Sequence, residues 1–80
     1  MPVIDKQDIN YIYYYVGKNV AKQRKLKGWS QSKLANACNF TTAFISNIEN
    51  NAPQTFSLAT LYLIARELEV PIKEFFNEID

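Results

Sequence analysis

The stretch from residue 30 to residue 50 constrains the fold more than any other part of the chain. It reads as two short helices joined by a tight turn. Ser30 is a good N-cap, and the residues after it are mostly helix formers or small polar residues. Leu34, Ala35 and Cys38 recur at helical spacing and are expected to face inward. Asn39 falls where the chain must turn, at a place suited to a positive φ, which Asn tolerates better than any residue but Gly. Phe40 then returns to the core. Thr41 is the second N-cap, and the helix resumes with Phe44, Ile45 and Ile48 as its apolar positions.

Helix, short turn, helix is the unit that lays its second helix in a DNA major groove. Other features fall around it in order. Gly17, Val20 and Arg24 lie in a preceding helix. Gly28-Trp29-Ser30-Gln31 leads into Leu34-Ala35, and Ile45-Ser46-Asn47-Ile48-Glu49 closes the unit. Ser57-Leu58, Leu61, Ile64-Ala65 and Leu68 follow, then Val70 and Phe75-Phe76. On these residues the segment from Val16 to Phe76, about three quarters of the chain, resembles the helix-turn-helix domain of the Cro/Xre repressor family, which includes phage repressors. Each feature alone is weak, and their order and spacing carry the resemblance. It implies an all-α fold: a compact five-helix phage-repressor-like domain over residues 16 to 80, with the helix-turn-helix at helices 2 and 3. Residues 1 to 15 are an N-terminal extension. The implied function is sequence-specific binding of double-stranded DNA by a transcriptional regulator, expected to be a homodimeric repressor on a palindromic operator.

Composition bounds the alternatives. Eighty residues make one small domain with a modest core, which gains from a partner subunit. A hydrophobic content of 48% is too high for a disordered chain. One Cys excludes an internal disulfide and fits a reducing cytoplasm, the expected location. Without His, a metal site of the usual kind is not expected, and no cofactor is implied. No run approaches the roughly 18 apolar residues of a membrane span, and Met1-Pro2-Val3-Ile4-Asp5 is no signal peptide. No nucleophile with a base and no carboxylate pair argues for an enzyme.

The net charge of +1 conceals a strong asymmetry. Residues 16 to 51 carry +5 from Lys18, Lys22, Arg24, Lys25, Lys27 and Lys33 against Glu49 alone, whereas residues 1 to 15 carry −1 and residues 52 to 80 carry −3. A local positive field steers towards phosphate even when the total is near zero. For the lysines taken alone, a solvated helix face is an equal reading.

At the N-terminus, Tyr11 and Tyr13-Tyr14-Tyr15 favour a strand by propensity. Ile9, Ile12, Tyr13, Val16 and Val20 instead mark one face of a helix, with Asp5 able to cap it, and helix is preferred. The tyrosines either pad the core or a dimer contact, or form a surface for a protein partner. Helix 1 is expected to end at Gly28 in the left-handed conformation. Arg24 lies on the side of Val16 and Val20, so it is an inward charge that needs a partner, and Glu49 is the only acid in the basic segment. The resemblance implies that Arg24 and Glu49 form a partly buried structural pair. Trp29 is expected at the core or its edge.

The candidate base-reading residues are Thr42, Ala43, Ser46 and Asn47, on the side of helix 3 opposite Ile45 and Ile48. Asn can bond adenine in a bidentate way, Thr and Ser can donate or accept, and Ala can touch the thymine methyl. The set lacks Arg and Lys, which points to A·T-rich sequence or to DNA shape. Candidate phosphate contacts are Gln31, Lys33, Thr41 and Asn50. Two departures from the family pattern weaken the phosphate grip. Helix 3 ends Glu49-Asn50-Asn51 rather than Glu-Arg-Gly, with Asn51 able to take the left-handed position, and the loop Ala52-Pro53-Gln54-Thr55-Phe56 holds no cation.

Ser57 is expected to cap helix 4, whose stripe is Leu58, Leu61, Ile64, Ala65 and Leu68. Pro71 opens a last short helix. The resemblance assigns the dimer contact to its residues Phe75, Phe76 and Ile79. Within the same class, the alternatives are a restriction–modification controller protein and a DNA-binding antitoxin. The alternative from another class is a protein-interaction module that keeps the fold and works through its tyrosine-rich N-terminus.

Overall fold

The computed structural model describes residues 4–50 and 54–79. The expectations for Asn51 and for the loop at Ala52-Pro53 lie outside those residues. Four α-helices, α1 Tyr11–Leu26, α2 Gln31–Cys38, α3 Thr42–Glu49 and α4 Leu58–Leu68, are followed by a 3-10 helix, Ile72–Phe76. The fifth α-helix expected from the sequence is thus a 3-10 turn. With three residues per turn, Ile72 and Phe75 share one side and Phe76 is rotated off it.

The helices start where side-chain oxygens can take the orphan N–H groups. Ser30 accepts from the Lys33 N–H at 3.0 Å, Thr41 from the Phe44 N–H at 3.1 Å, and Ser57 from the Thr60 N–H at 3.0 Å. Helix α1 begins differently. Asp5 does not cap it. The Asp5 and Asp8 carboxylates accept from the N–H groups of Gln7 and Asn10, both at 2.9 Å, and these local bonds hold residues 5 to 10 in turns until the helix opens at Tyr11. From there α1 runs unbroken through Gly17.

Three helices end in one way. Gly28, Asn39 and Glu69 take φ of 79°, 61° and 60°, and the next residue in each case is apolar. Its N–H reaches back five residues: Trp29 to the Arg24 carbonyl, Phe40 to Ala35 and Val70 to Ala65. This is the Schellman arrangement, in which a reversed chain drops an apolar side chain against the helix it has just left. Trp29, Phe40 and Val70 are accordingly packed against the core.

The core joins Val16 and Val20 of α1, Leu34, Ala35 and Cys38 of α2, Ile45 and Ile48 of α3, and Leu61, Ile64, Ala65 and Leu68 of α4, closed by Phe75. The Asn19 amide donates to the carbonyls of Phe75 and Asn77 at 2.8 and 2.9 Å and ties the 3-10 helix to α1. Three apolar residues expected inside are not. Ile9 precedes the helix and is 82% exposed, Ile12 is 40% exposed, and Leu58 is 71% exposed. Leu58 sits one turn before Leu61, past the point where neighbouring helices cover the stripe. Among the described residues, no helix is long and apolar enough to cross a membrane.

Candidate nucleic-acid interface

Helix α3 has two unlike sides. Ile45 and Ile48 are buried and fix its rotation. Thr42, Ala43 and Asn47 consequently stand exposed, and Ser46 is half-buried. The polar groups on this side make only light internal bonds. Thr42 Oγ1 lies 3.3 Å from Ser32 Oγ, and the Asn47 side-chain amide donates to the side-chain oxygen Oε1 of Gln54 at 3.5 Å, the limit of a hydrogen bond. Ser46 is more engaged, because its hydroxyl accepts from the Asn50 amide at 2.8 Å. Asn50, a candidate phosphate donor, therefore already spends one amide hydrogen within the helix. The Thr41 hydroxyl is likewise occupied as the α3 cap.

The rotation and tilt of α3 are held from behind by α1. The Arg24 guanidinium meets the Glu49 carboxylate with two bonds, Nε to Oε2 at 2.7 Å and Nη2 to Oε1 at 2.8 Å. Both residues are buried, 8% and 7% exposed. Arg24 Nη1 donates to the Trp29 carbonyl at 2.8 Å, and the Gln31 amide donates to Glu49 Oε1 at 3.0 Å. Every charged-group valence that burial would leave unpaired is thus taken. The Glu49 carboxylate, by its hydrogen bond, raises the Arg24 pKa above its already high ordinary value. Gln31 is anchored at the α2 start with one amide hydrogen left to donate outward.

Gly17 supplies a second point of contact between α1 and α3, a role that the sequence reading did not give it. A Cβ built there would fall onto the backbone carbonyl oxygen of Ile48. Only the missing side chain lets the two backbones approach this closely. The available signal was a glycine inside an otherwise helical pattern, the usual mark of a close approach.

The basic residues sort into two groups. Lys27 bonds Glu69 at 2.9 Å, and Lys27 and Lys33 both lie over the half-buried Trp29 ring, at 5.2 and 5.1 Å from its centroid. Hydrogen bonding to Lys27 holds the Glu69 carboxyl below its usual range. Lys18, Lys22 and Lys25 instead line an open groove of about 790 Å³ between α1 and the ends of α2 and α3, together with Tyr14, Gln31 and Asn50.

The tyrosines are less available than their number suggests. Tyr14 is buried, and Tyr11, Tyr13 and Tyr15 are half-buried. Tyr11 and Tyr15 pair at 4.6 Å, and Tyr13 meets Phe56 edge-on at 5.1 Å. At the C-terminus the three residues assigned to a dimer contact separate. Phe75 is fully buried and belongs to the core, which corrects its assignment; Ile79 packs partly against that core; Phe76 is 41% exposed. Phe76 borders an apolar groove of about 170 Å³ with Ile12, Tyr13, Phe56, Leu58 and Leu61.

A helix-turn-helix family profile matches residues 20–75. The transcriptional regulator SinR of Bacillus licheniformis is 31% identical over 65 residues, covering 81% of this chain and 59% of SinR. The transcriptional regulator SutR of Escherichia coli (strain K12) is 33% identical over 63 residues, covering 79% of this chain and 35% of SutR. The chain therefore spans less than two thirds of the length of either relative. Among solved structures, the restriction-modification controller protein C.Esp1396I superposes with a TM-score of 0.74 at 34% identity, over 81% of this chain and 84% of that one. The biofilm regulator SinR in complex with DNA gives 0.71 at 27% identity, over 78% and 98%.

Proposed function

Because the chain belongs to the Cro/Xre-type helix-turn-helix family of DNA-binding transcriptional regulators, a family of regulators rather than enzymes, we propose that it represses transcription as a homodimer on a palindromic operator. The observation that carries the reading is the exposed polar side of α3, Thr42, Ala43 and Asn47 with half-buried Ser46, presented at a fixed angle by the buried Arg24–Glu49 pair. These four side chains read base edges in the major groove. Gln31, Lys33, Thr41 and Asn50 meet the phosphates on either side. Repression follows from occupancy: two reading heads fill adjacent major grooves and exclude other proteins from that DNA. The dimer forms through Phe76 and the apolar groove beside it.

A second reading within the class is a restriction–modification controller, which activates as well as represses. The likeness to C.Esp1396I, which spans most of both chains, supports it. The fold acting only as a protein-interaction module is less well supported, since Tyr11, Tyr13, Tyr14 and Tyr15 are all at least half-buried.

Selection of bound sequences from a random duplex pool, followed by ultracentrifugation with the selected duplex, tests the proposal. The expected result is a pair of inverted half-sites about 10 base pairs apart, centre to centre, bound by two chains. Enrichment of no sequence, or of one without dyad symmetry, would overturn it.

A further inference from the structure

We propose that α1 carries a second phosphate-binding strip, Lys18, Lys22 and Lys25, which extends the grip on the DNA backbone beyond the helix-turn-helix; this rests on the DNA-binding reading above. The three lysines fall at i, i+4 and i+7 on one face of the helix, a run of about 10 Å at 1.5 Å per residue. All three are exposed and line the groove whose far wall holds Gln31 and Asn50, two of the residues assigned to phosphate. The strip is therefore continuous with the backbone-facing ends of α2 and α3.

The charge of this groove is uncompensated. Its one carboxylate, Glu49, is consumed by Arg24. Lys18 leans on Tyr14, 3.4 Å from the phenol oxygen, which positions the ammonium without neutralising it. Lys22 and Lys25 have no acidic partner among the described residues. Like charges three and four residues apart destabilise an isolated helix. The helix dipole favours Lys25 in the last turn but does nothing for Lys18 or Lys22 nearer the middle. A row of anions relieves all three together, and each DNA strand presents a phosphate every 3.4 Å or so along the axis. The loop after α3, the other place from which such contacts could come, holds no Lys or Arg between residues 50 and 57.

The test is the triple variant Lys18→Gln, Lys22→Gln, Lys25→Gln in the full chain. Its affinity for a 30-base-pair duplex bearing the selected sequence is measured across a salt series beside wild type and Lys73→Gln, a change on the 3-10 helix. With two chains on the duplex the triple variant loses six lysines, so the slope of log affinity against log salt should shrink by about 5, at about 0.9 per lost phosphate contact, and stay unchanged in Lys73→Gln. The base-preference profile should be the same in all three proteins. An unchanged slope in the triple variant while wild type binds its selected duplex overturns the strip and leaves the DNA-binding reading standing. A wild type that selects no duplex overturns both. Urea unfolding of the triple variant checks that the fold is retained. If it is not, the single Lys→Gln variants decide the matter: each removes one contact from both chains and should lose about two from the slope, and unchanged slopes in all three overturn the strip.

Discussion

Removing the Glu49 carboxylate is the sharpest test of how α3 is held. Glu49→Ala deletes both bonds to Arg24, at 2.7 and 2.8 Å, and the bond from Gln31 at 3.0 Å. Arg24 keeps its bond to the Trp29 carbonyl but is left as a charge only 8% exposed. Breaking one side of a buried pair costs roughly 3–5 kcal/mol. Because the guanidinium can swing towards the groove beside it, the lower part of that range applies, about 3 kcal/mol. An eighty-residue domain holds only about 4–12 kcal/mol in total, so the variant loses a quarter or more of its stability. Arg24→Ala should cost about as much, since it strands a carboxylate whose side chain is 2% exposed, with Gln31 alone to serve it. The double variant removes both charges and should cost about 2–3 kcal/mol less than the sum of the singles. Urea denaturation of the four proteins measures the cycle. A double variant as costly as the two singles combined refutes the claim that the pair acts as a unit, and a single cost under about 1 kcal/mol would place it with exposed surface pairs.

Phe76→Glu should give a folded monomer by ultracentrifugation, whereas Phe75→Glu should fail to fold, because its ring is fully buried. A Phe76→Glu protein that stays dimeric puts the interface elsewhere. Asn47→Ala should relax base preference at one symmetric pair of operator positions, by about 1–3 kcal/mol for a good bidentate contact, while Gln31→Ala weakens all sequences alike; profiling both against every single-base change decides this. Gly17→Ala should destabilise by about 1–3 kcal/mol in thermal or urea unfolding, as overpacking does, although the same change in an open helix stabilises. Burial pushes the Cys38 thiol up to about 11, so the native protein should resist iodoacetamide at pH 8 and label fast in urea. The unfolded thiol ionises first as pH rises, so this group's contribution to stability is present below about pH 8.5 and should be lost as pH rises towards 11.

Local chemistry was readable in the letters. Ser30, Thr41 and Ser57 announce helix starts, and Asn39 and Gly28 announce turns, because each effect needs only a few neighbouring atoms. The meeting of Arg24 with Glu49 was suggested by one inward charge and one available acid, together with the family resemblance. Other features depend on what lies across the fold. Five residues cannot distinguish a repeat of three from one of nearly four, so the closing 3-10 turn, and with it the burial of Phe75, was hidden. Ile9, Ile12 and Leu58 have the right spacing, but nothing in that spacing says where the neighbouring helices stop covering them. The lysines looked alike until α4 brought Glu69 to Lys27 and the α1–α2 turn laid Trp29 beneath Lys27 and Lys33.

Gly17 and Arg24 are seven residues apart on α1, and each is joined to the same end of α3, one through the Ile48 carbonyl and the other through Glu49. The two positions lie about 10 Å apart along α1 and meet neighbouring residues of α3, so α1 braces the C-terminal end of α3 both by close backbone packing and by a charge pair. A roll or tilt of α3 at that end breaks the Arg24–Glu49 bonds or disturbs the close packing at Gly17. On the proposed function, α3 adapts to a poorly matched site only at that cost, and the rest of any mismatch in curvature or groove width falls on the duplex, at an energy that depends on how easily its base steps bend. A head braced in this way would sort operators by their mechanics as well as by their letters, including at base pairs it never touches.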